Sequence, residues 1–331
     1  MTSEGPQCLR VSAARFWAFW VQCVYGLLLL GLCVWAPTAR KGWRMNLRIH
    51  AGIRYVDSET NSEREPLILL HGLGNSVNFW HLVYPKIKDS RRVVAIDIPG
   101  FGASATPDGG FTLEAVATDI ARFLKDLQVE GGVVCGHSMG ATVALELSVA
   151  HQELVAGVVL IDGHLLSALD ALRRPGTTLA NDPALLMAVS AQFLGGLLPI
   201  PQSVARFVTS SALIRKLVFK PFVGSPDQIE PSTLQEALKD AGGRNVARTL
   251  CIVPKINLED LMSQVSVPVS LVWGSNDRLL RPSDHLRASE LMNVISRSEI
   301  DGVGHWPMLE EPNVLAELLA GYDVREGLPL A

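Results

Sequence analysis

Ser138 stands between His137 and Met139, with Gly136 and Gly140 two residues to either side. The surrounding stretch, VVCGHSMGATVALELSVA, opens as an apolar run and continues with helical character. The serine therefore falls where a strand becomes a helix. Two readings fit those residue types. A serine at a helix start can be an N-cap, and glycines mark turns. Alternatively, G-x-S-x-G is a nucleophile elbow. There the serine sits on a strained turn, and Gly136 and Gly140 remove side chains that would collide with the neighbouring strand and helix. An elbow makes demands on the rest of the chain: an oxyanion donor earlier, then an acid and a histidine later.

Those demands have candidates. His71 and Gly72 close the run PLILLHG, Asp277 closes SLVWGSND, and His305 lies in GVGHWPMLEEP. The order Ser138, Asp277, His305 is the one an elbow fold requires. The chemistry explains the residue types. A serine hydroxyl is a poor nucleophile at neutral pH, so His305 would take its proton during attack and return it to the leaving group. Asp277 would orient the imidazole and stabilise its protonated form. Asp162, at the end of LIDG, is the competitor for the acid, and Asp277 is preferred. Asp97 in DIPG reads as structural, His137 as a packing or pocket residue, and Trp80 and Trp306 as core.

The elements that must position these groups alternate. MNLRIHAGIRYVDSE suggests a short hairpin. PLILLHG, RRVVAIDIPG, GGVVCGHS and LVAGVVLIDG read as buried strands. Between them, VNFWHLVYPKI and FTLEAVATDIARFLKDL have helical spacing, with Thr112 as N-cap of the second. The strand–helix alternation predicts an α/β fold with a mostly parallel, doubly wound sheet. In such sheets ligands bind beyond the carboxyl ends of the strands, where every candidate group falls. From His164 to about Met262 the alternation stops. Short apolar pieces broken by prolines replace it, and the sheet then resumes with VPVSLVWGSND and a weaker strand, SRSEIDG. The expected organisation is a tail at 1–44, a core at 45–163, an inserted helical cap at 164–262 and the rest of the core at 263–331.

Composition narrows the partners. The chain has 331 residues and a net charge of −4, which gives no global electrostatic reason to bind nucleic acid. The five cysteines lack metal-ligand spacing, and neither a metal nor a cofactor is expected. From Phe16 to Ala36 the sequence carries no charge over 21 residues, enough for a bilayer-spanning helix with aromatic residues for the interfaces. A cleaved signal peptide is the rival reading, against which Pro37 spoils a small-x-small site. Arg40, Lys41, Arg44 and Arg48 follow the span, against Arg10 and Arg15 before it. This basic bias places the C-terminal bulk on the cytoplasmic side of a single N-terminal span.

From about Met45 onwards the chain resembles the α/β-hydrolase superfamily. The resemblance rests on HGLGNS, DIPGFGAS, GHSMG, GSNDRL and GVGHWPMLEEP, in that order. It extends to capped serine hydrolases: meta-cleavage-product hydrolases, carboxylesterases and membrane-anchored monoacylglycerol lipases. The resemblance implies a triad of Ser138, Asp277 and His305. It also implies an oxyanion hole made by the backbone N–H groups of Leu73 and Met139, with His71 shaping the oxyanion loop. Ser138 excludes the relatives that carry aspartate at the elbow. The cap segment holds no tyrosine but offers Phe193, Phe207, Phe219 and Phe222, so the expected substrate is a small-molecule ester with an apolar acyl chain. A C–C bond hydrolase would need a cation for its substrate carboxylate, from Arg173, Arg174, Arg206 or Arg215. An acyltransferase would use the same triad. Non-catalytic receptors on this fold usually lose a triad member or the oxyanion glycine, and this chain keeps both.

Overall fold

A computed structural model describes residues 45–329. The apolar stretch from Phe16 to Ala36, expected to span a bilayer, lies outside the described residues. Among those described, no helix is long and apolar enough to cross a membrane.

Ala51 and Gly52 have φ of 46° and 79°, as a two-residue hairpin turn requires. They join β1 (Arg48–His50) and β2 (Ile53–Asp57) as an antiparallel pair with Arg48 opposite Tyr55. Six further strands follow: β3 (Leu67–Leu70), β4 (Val93–Ile96), β5 (Gly132–His137), β6 (Val155–Ile161), β7 (Val269–Gly274) and β8 (Val294–Ile300). The eight strands form one sheet in the order β1-β2-β4-β3-β5-β6-β7-β8. Strands β3 to β8 pair in parallel, and β2 joins β4 antiparallel. Leu67, Ile68, Leu69 and Leu70 are fully buried because layers cover both faces of the sheet. β8 is an edge strand and leaves several residues half-buried or exposed, which explains its weak apolar pattern.

Among the described residues, three core helices precede the insertion: α1 (Tyr84–Ile87), α2 (Leu113–Asp126) and α3 (Met139–Ala150). In α2, Thr112 Oγ1 accepts the Ala115 amide at 3.1 Å, and the stripe Val116, Ala117, Ile120, Phe123, Leu124 is buried. That is an N-cap followed by an amphipathic helix, as the sequence predicts. VNFWHLVYPKI differs from expectation. It forms a 3-10 turn at Val77–Trp80 and only one α turn, α1, with a proline at its start. Pro85 has no N–H to give to a helix interior, so the helix restarts there.

Between β6 and β7 run eight helices: α4 (Leu166–Arg173), α5 (Pro175–Asn181), α6 (Pro183–Gly196), α7 (Gln202–Thr209), α8 (Ala212–Phe219), α9 (Pro231–Ala237), α10 (Arg244–Ile252) and α11 (Leu258–Ser263). The last of them packs on α3 and buries Leu258, Leu261 and Met262 in the sheet-side core. α12 (Pro282–Leu291), α13 (Pro307–Glu310) and α14 (Pro312–Gly321) complete the fold.

Candidate active site

Ser138 follows the central strand β5 with φ 53° and ψ −119°, a conformation that costs a non-glycine residue about 1–3 kcal/mol. Its surroundings hold it there. The Ser138 amide donates to Ile161 O at 3.0 Å. A Cβ on Gly136 would come within 2.4 Å of Gly140 O, and one on Gly140 within 2.6 Å of Leu70 O. Any larger residue at either glycine would push strand and helix apart. The Ser138 side chain makes no N-capping bond to α3. Its Oγ instead lies 2.9 Å from His305 Nε2.

His305 Nδ1 donates to Asp277 Oδ2 at 2.8 Å, and both side chains are buried. With its proton on Nδ1, the ring presents a lone pair at Nε2, and the serine hydroxyl donates to it. Asp277 Oδ1 accepts the Leu279 amide at 2.7 Å. Burial pushes the Asp277 carboxyl up. The His305 ring, the adjacent Asp162 and the Leu279 amide outweigh it and hold Asp277 below the usual carboxylate range. Asp162, the competitor from the sequence, hydrogen-bonds the Gly274 amide at 3.0 Å and not the imidazole.

Leu73 and Met139, the expected oxyanion donors, both border the cavity beside Ser138. Neither backbone N–H donates to another group among the described residues. Met139 opens α3, where the helix dipole favours negative charge. His71 is fully buried and uses both ring nitrogens to shape this loop. Nδ1 donates to Gly72 O at 2.8 Å, and Nε2 accepts the Ile98 amide at 3.0 Å. Gly72 is hemmed in: a Cβ there would meet His137 Nδ1 at 2.8 Å and Ser138 Cβ at 3.2 Å.

Several supporting contacts escaped sequence reasoning. His137 Nε2 donates to His305 O at 2.8 Å, steadying the histidine loop from beneath. The His305 amide donates to Phe222 O at 2.6 Å, so the insertion grips the same loop from above. Glu310 joins the two, accepting the Gly224 amide at 2.8 Å and the Gly304 amide at 2.9 Å. Gln192 on α6 donates to Leu73 O at 3.3 Å. Apart from the Gly304–Glu310 bond, which is local, each links residues far apart in the chain with no local motif between them.

Ser138 opens onto a cavity of about 100 Å³. Its walls come from the core (Ile98, Val143), the start of α2 (Phe111, Val116) and the insertion (Leu169, Phe193, among others). Of the four cap phenylalanines singled out in the sequence, only Phe193 lines it. Phe222 stacks on Trp306 at 5.4 Å, and Phe219 is buried in the core, while Trp80 and Trp306 are also core residues. Among the described residues no charged side chain borders the cavity. Arg215 is committed to the backbone carbonyls of Thr209, Pro226 and Asp227. Asp162, Asp277 and His305 also lie close enough to suggest a metal trio. Both nitrogens of His305, however, are already committed to Asp277 and Ser138.

A mostly parallel eight-stranded sheet with a serine on a strand-to-helix elbow is the architecture of the α/β-hydrolase fold. The chain belongs to the alpha/beta hydrolase family, whose model matches residues 67–318. It is 26% identical over 257 residues to the dihydrolipoyllysine-residue acetyltransferase component of the acetoin cleaving system of Pseudomonas putida, covering 74% of this chain and 60% of that protein. It is 25% identical over 270 residues to the 2-hydroxy-6-oxo-6-(2'-aminophenyl)hexa-2,4-dienoic acid hydrolase of Metapseudomonas resinovorans, covering 80% of this chain and 84% of that one. Among solved structures, E-2-(acetamidomethylene)succinate hydrolase superposes with a TM-score of 0.62 at 18% identity, over 81% of this chain and 93% of that chain.

Proposed function

We propose that the protein is a serine hydrolase that cleaves carboxylic esters with an apolar acyl chain, through an acyl-enzyme. The observation that carries this reading is the chain Asp277–His305–Ser138, with spacings of 2.8 and 2.9 Å, opening onto an uncharged cavity. As Ser138 Oγ attacks the ester carbonyl, its proton passes to His305 Nε2. Asp277 stabilises the imidazolium that forms. The Leu73 and Met139 amides stabilise the oxyanion, and losing one such donor typically costs about a hundredfold or more in rate. His305 then protonates the departing alkoxide. Water attacks the acyl-serine by the reverse path and releases the acid.

The apolar walls support an acyl chain in preference to a charged group. A C–C bond hydrolase acting on a dienoate needs a cation for the substrate carboxylate. Arg173, Arg174, Arg206 and Arg215, the candidates for that role, are all absent from the cavity wall. A series of nitrophenyl esters tests the proposal. Each buried methylene contributes about 0.8 kcal/mol, so kcat/KM should rise from acetate to at least hexanoate and then level off. A flat or falling series, or faster turnover of a ring-cleavage dienoate, would overturn it.

A further inference from the structure

Asp162 is a buried acid that the Ser138–His305–Asp277 chain leaves unused. It follows β6 in a left-handed conformation, φ 46°, and is wholly shielded from solvent. Oδ1 accepts the Gly274 amide at 3.0 Å. Oδ2 is buried, and among the described residues no N–H or O–H donor reaches it. One oxygen of Asp162, one of Asp277 and a ring nitrogen of His305 all lie within 4.8 Å of one another. Two carboxylates this close and out of water cannot both remain ionised.

The other groups around Asp162 do not relieve that repulsion. Asp277 comes from the loop after β7 and His305 from the loop after β8, while Glu310 on α13 adds a further acid. His164, two residues on, is buried, and burial pushes its ring down to about 3, so it is neutral. None of these is a permanent cation. The two carboxyls are also unequal. Asp277 accepts from His305 Nδ1 and the Leu279 amide, whereas among the described residues Asp162 accepts only from Gly274. The better-solvated partner keeps the charge.

We propose that Asp162 is a positioning residue of this site: its carboxyl group keeps its proton in the folded protein and donates it to the Asp277 carboxylate. The role rests on the reading of Asp277 as the acid beside His305. The cluster then carries a single negative charge, and Asp277 is held by three donors. The direction of ionisation agrees. Burial, and then the Asp277 charge, push the Asp162 carboxyl well above its ordinary value, while Asp277 lies below its own. A proton kept by the folded state and lost by the unfolded state makes stability fall as pH rises above the unfolded carboxylate value, about 3.9. Asparagine at 162 cannot titrate and can still donate, so it removes that slope.

The test compares the wild type with Asp162→Asn and Asp162→Leu. The infrared difference between wild type and Asp162→Asn at neutral pH should show a protonated-carboxyl band belonging to the wild type. Asp162→Asn should retain most of kcat and the acid limb of the kcat/KM profile. It should also gain in Tm over the wild type as pH rises from 4 to 7. Asp162→Leu should lose about tenfold or more in kcat, and its acid limb should move to higher pH, because Asp277 without its donor is the more basic partner of His305. Absence of the band would overturn the proposal. So would acid limbs that move together to lower pH in both variants, since that is the effect of removing an ionised Asp162 beside His305. Equal kinetics in the two variants would also overturn it. Should Asp162→Leu not fold, the band and the Asp162→Asn profile still decide. The band is read without substrate, so a protein that shows it but cleaves no ester retains the proton assignment and loses the ester reading.

Discussion

Asp277 fixes the tautomer of His305 through a 2.8 Å bond to Nδ1, and that bond determines which ring nitrogen faces Ser138. Asparagine at 277 can turn its amide N–H toward Nδ1, which moves the ring proton to Nε2 and leaves no base for the serine. Asp277→Asn should therefore lower kcat by about ten-thousandfold with little change in fold, measured by ester hydrolysis and circular dichroism. Much of this residue pattern was legible beforehand. The elbow glycines, the serine and the order of acid and histidine leave a local mark in the sequence, because strand ends and tight turns constrain residue types. The Asp162 proton left no such mark. Asp162 and Asp277 are both acids after strands; GSNDRL favours Asp277 in the sequence, but nothing there shows how near the two carboxyls lie to each other.

At the scale of elements, the strands and the capped helix α2 were readable because burial on both faces and an N-cap leave simple periodic patterns. VNFWHLVYPKI keeps helical spacing through Pro85, so its pattern hides the break between the 3-10 turn and α1. The insertion was recognisable only as a break in alternation. How it meets the core depends on contacts such as His305 N–H to Phe222 O at 2.6 Å and the two amides gathered by Glu310. These contacts make the histidine loop and the insertion one unit. Glu310→Ala strands the Gly224 and Gly304 amides, each bond being worth roughly 1 kcal/mol net and more when a buried amide goes unpaired. The variant should lose roughly 2 kcal/mol of stability in a denaturant titration and about tenfold in kcat. Loss of stability with unchanged kcat would show that the loop keeps its place without the link.

For the whole molecule, a sheet with helices on both faces leaves its strand ends as the place for chemistry, and the insertion closes an apolar cavity over them. The Phe16 to Ala36 stretch adds a proposal at this scale: it holds the hydrolase at a bilayer, where apolar esters concentrate. The full chain should then stay in the membrane fraction after alkaline carbonate washing. A chain beginning near Lys41 should be soluble and still cleave esters. Full-length protein found wholly in the soluble fraction would reject the anchor without touching the site.

Activation of Ser138 as a nucleophile is read out by a fluorophosphonate probe followed by mass spectrometry of the labelled peptide. One label per chain is expected, on Ser138, and none on Ser138→Ala. Labelling that persists in that variant, or that falls on Ser76 or Ser104, would contradict it.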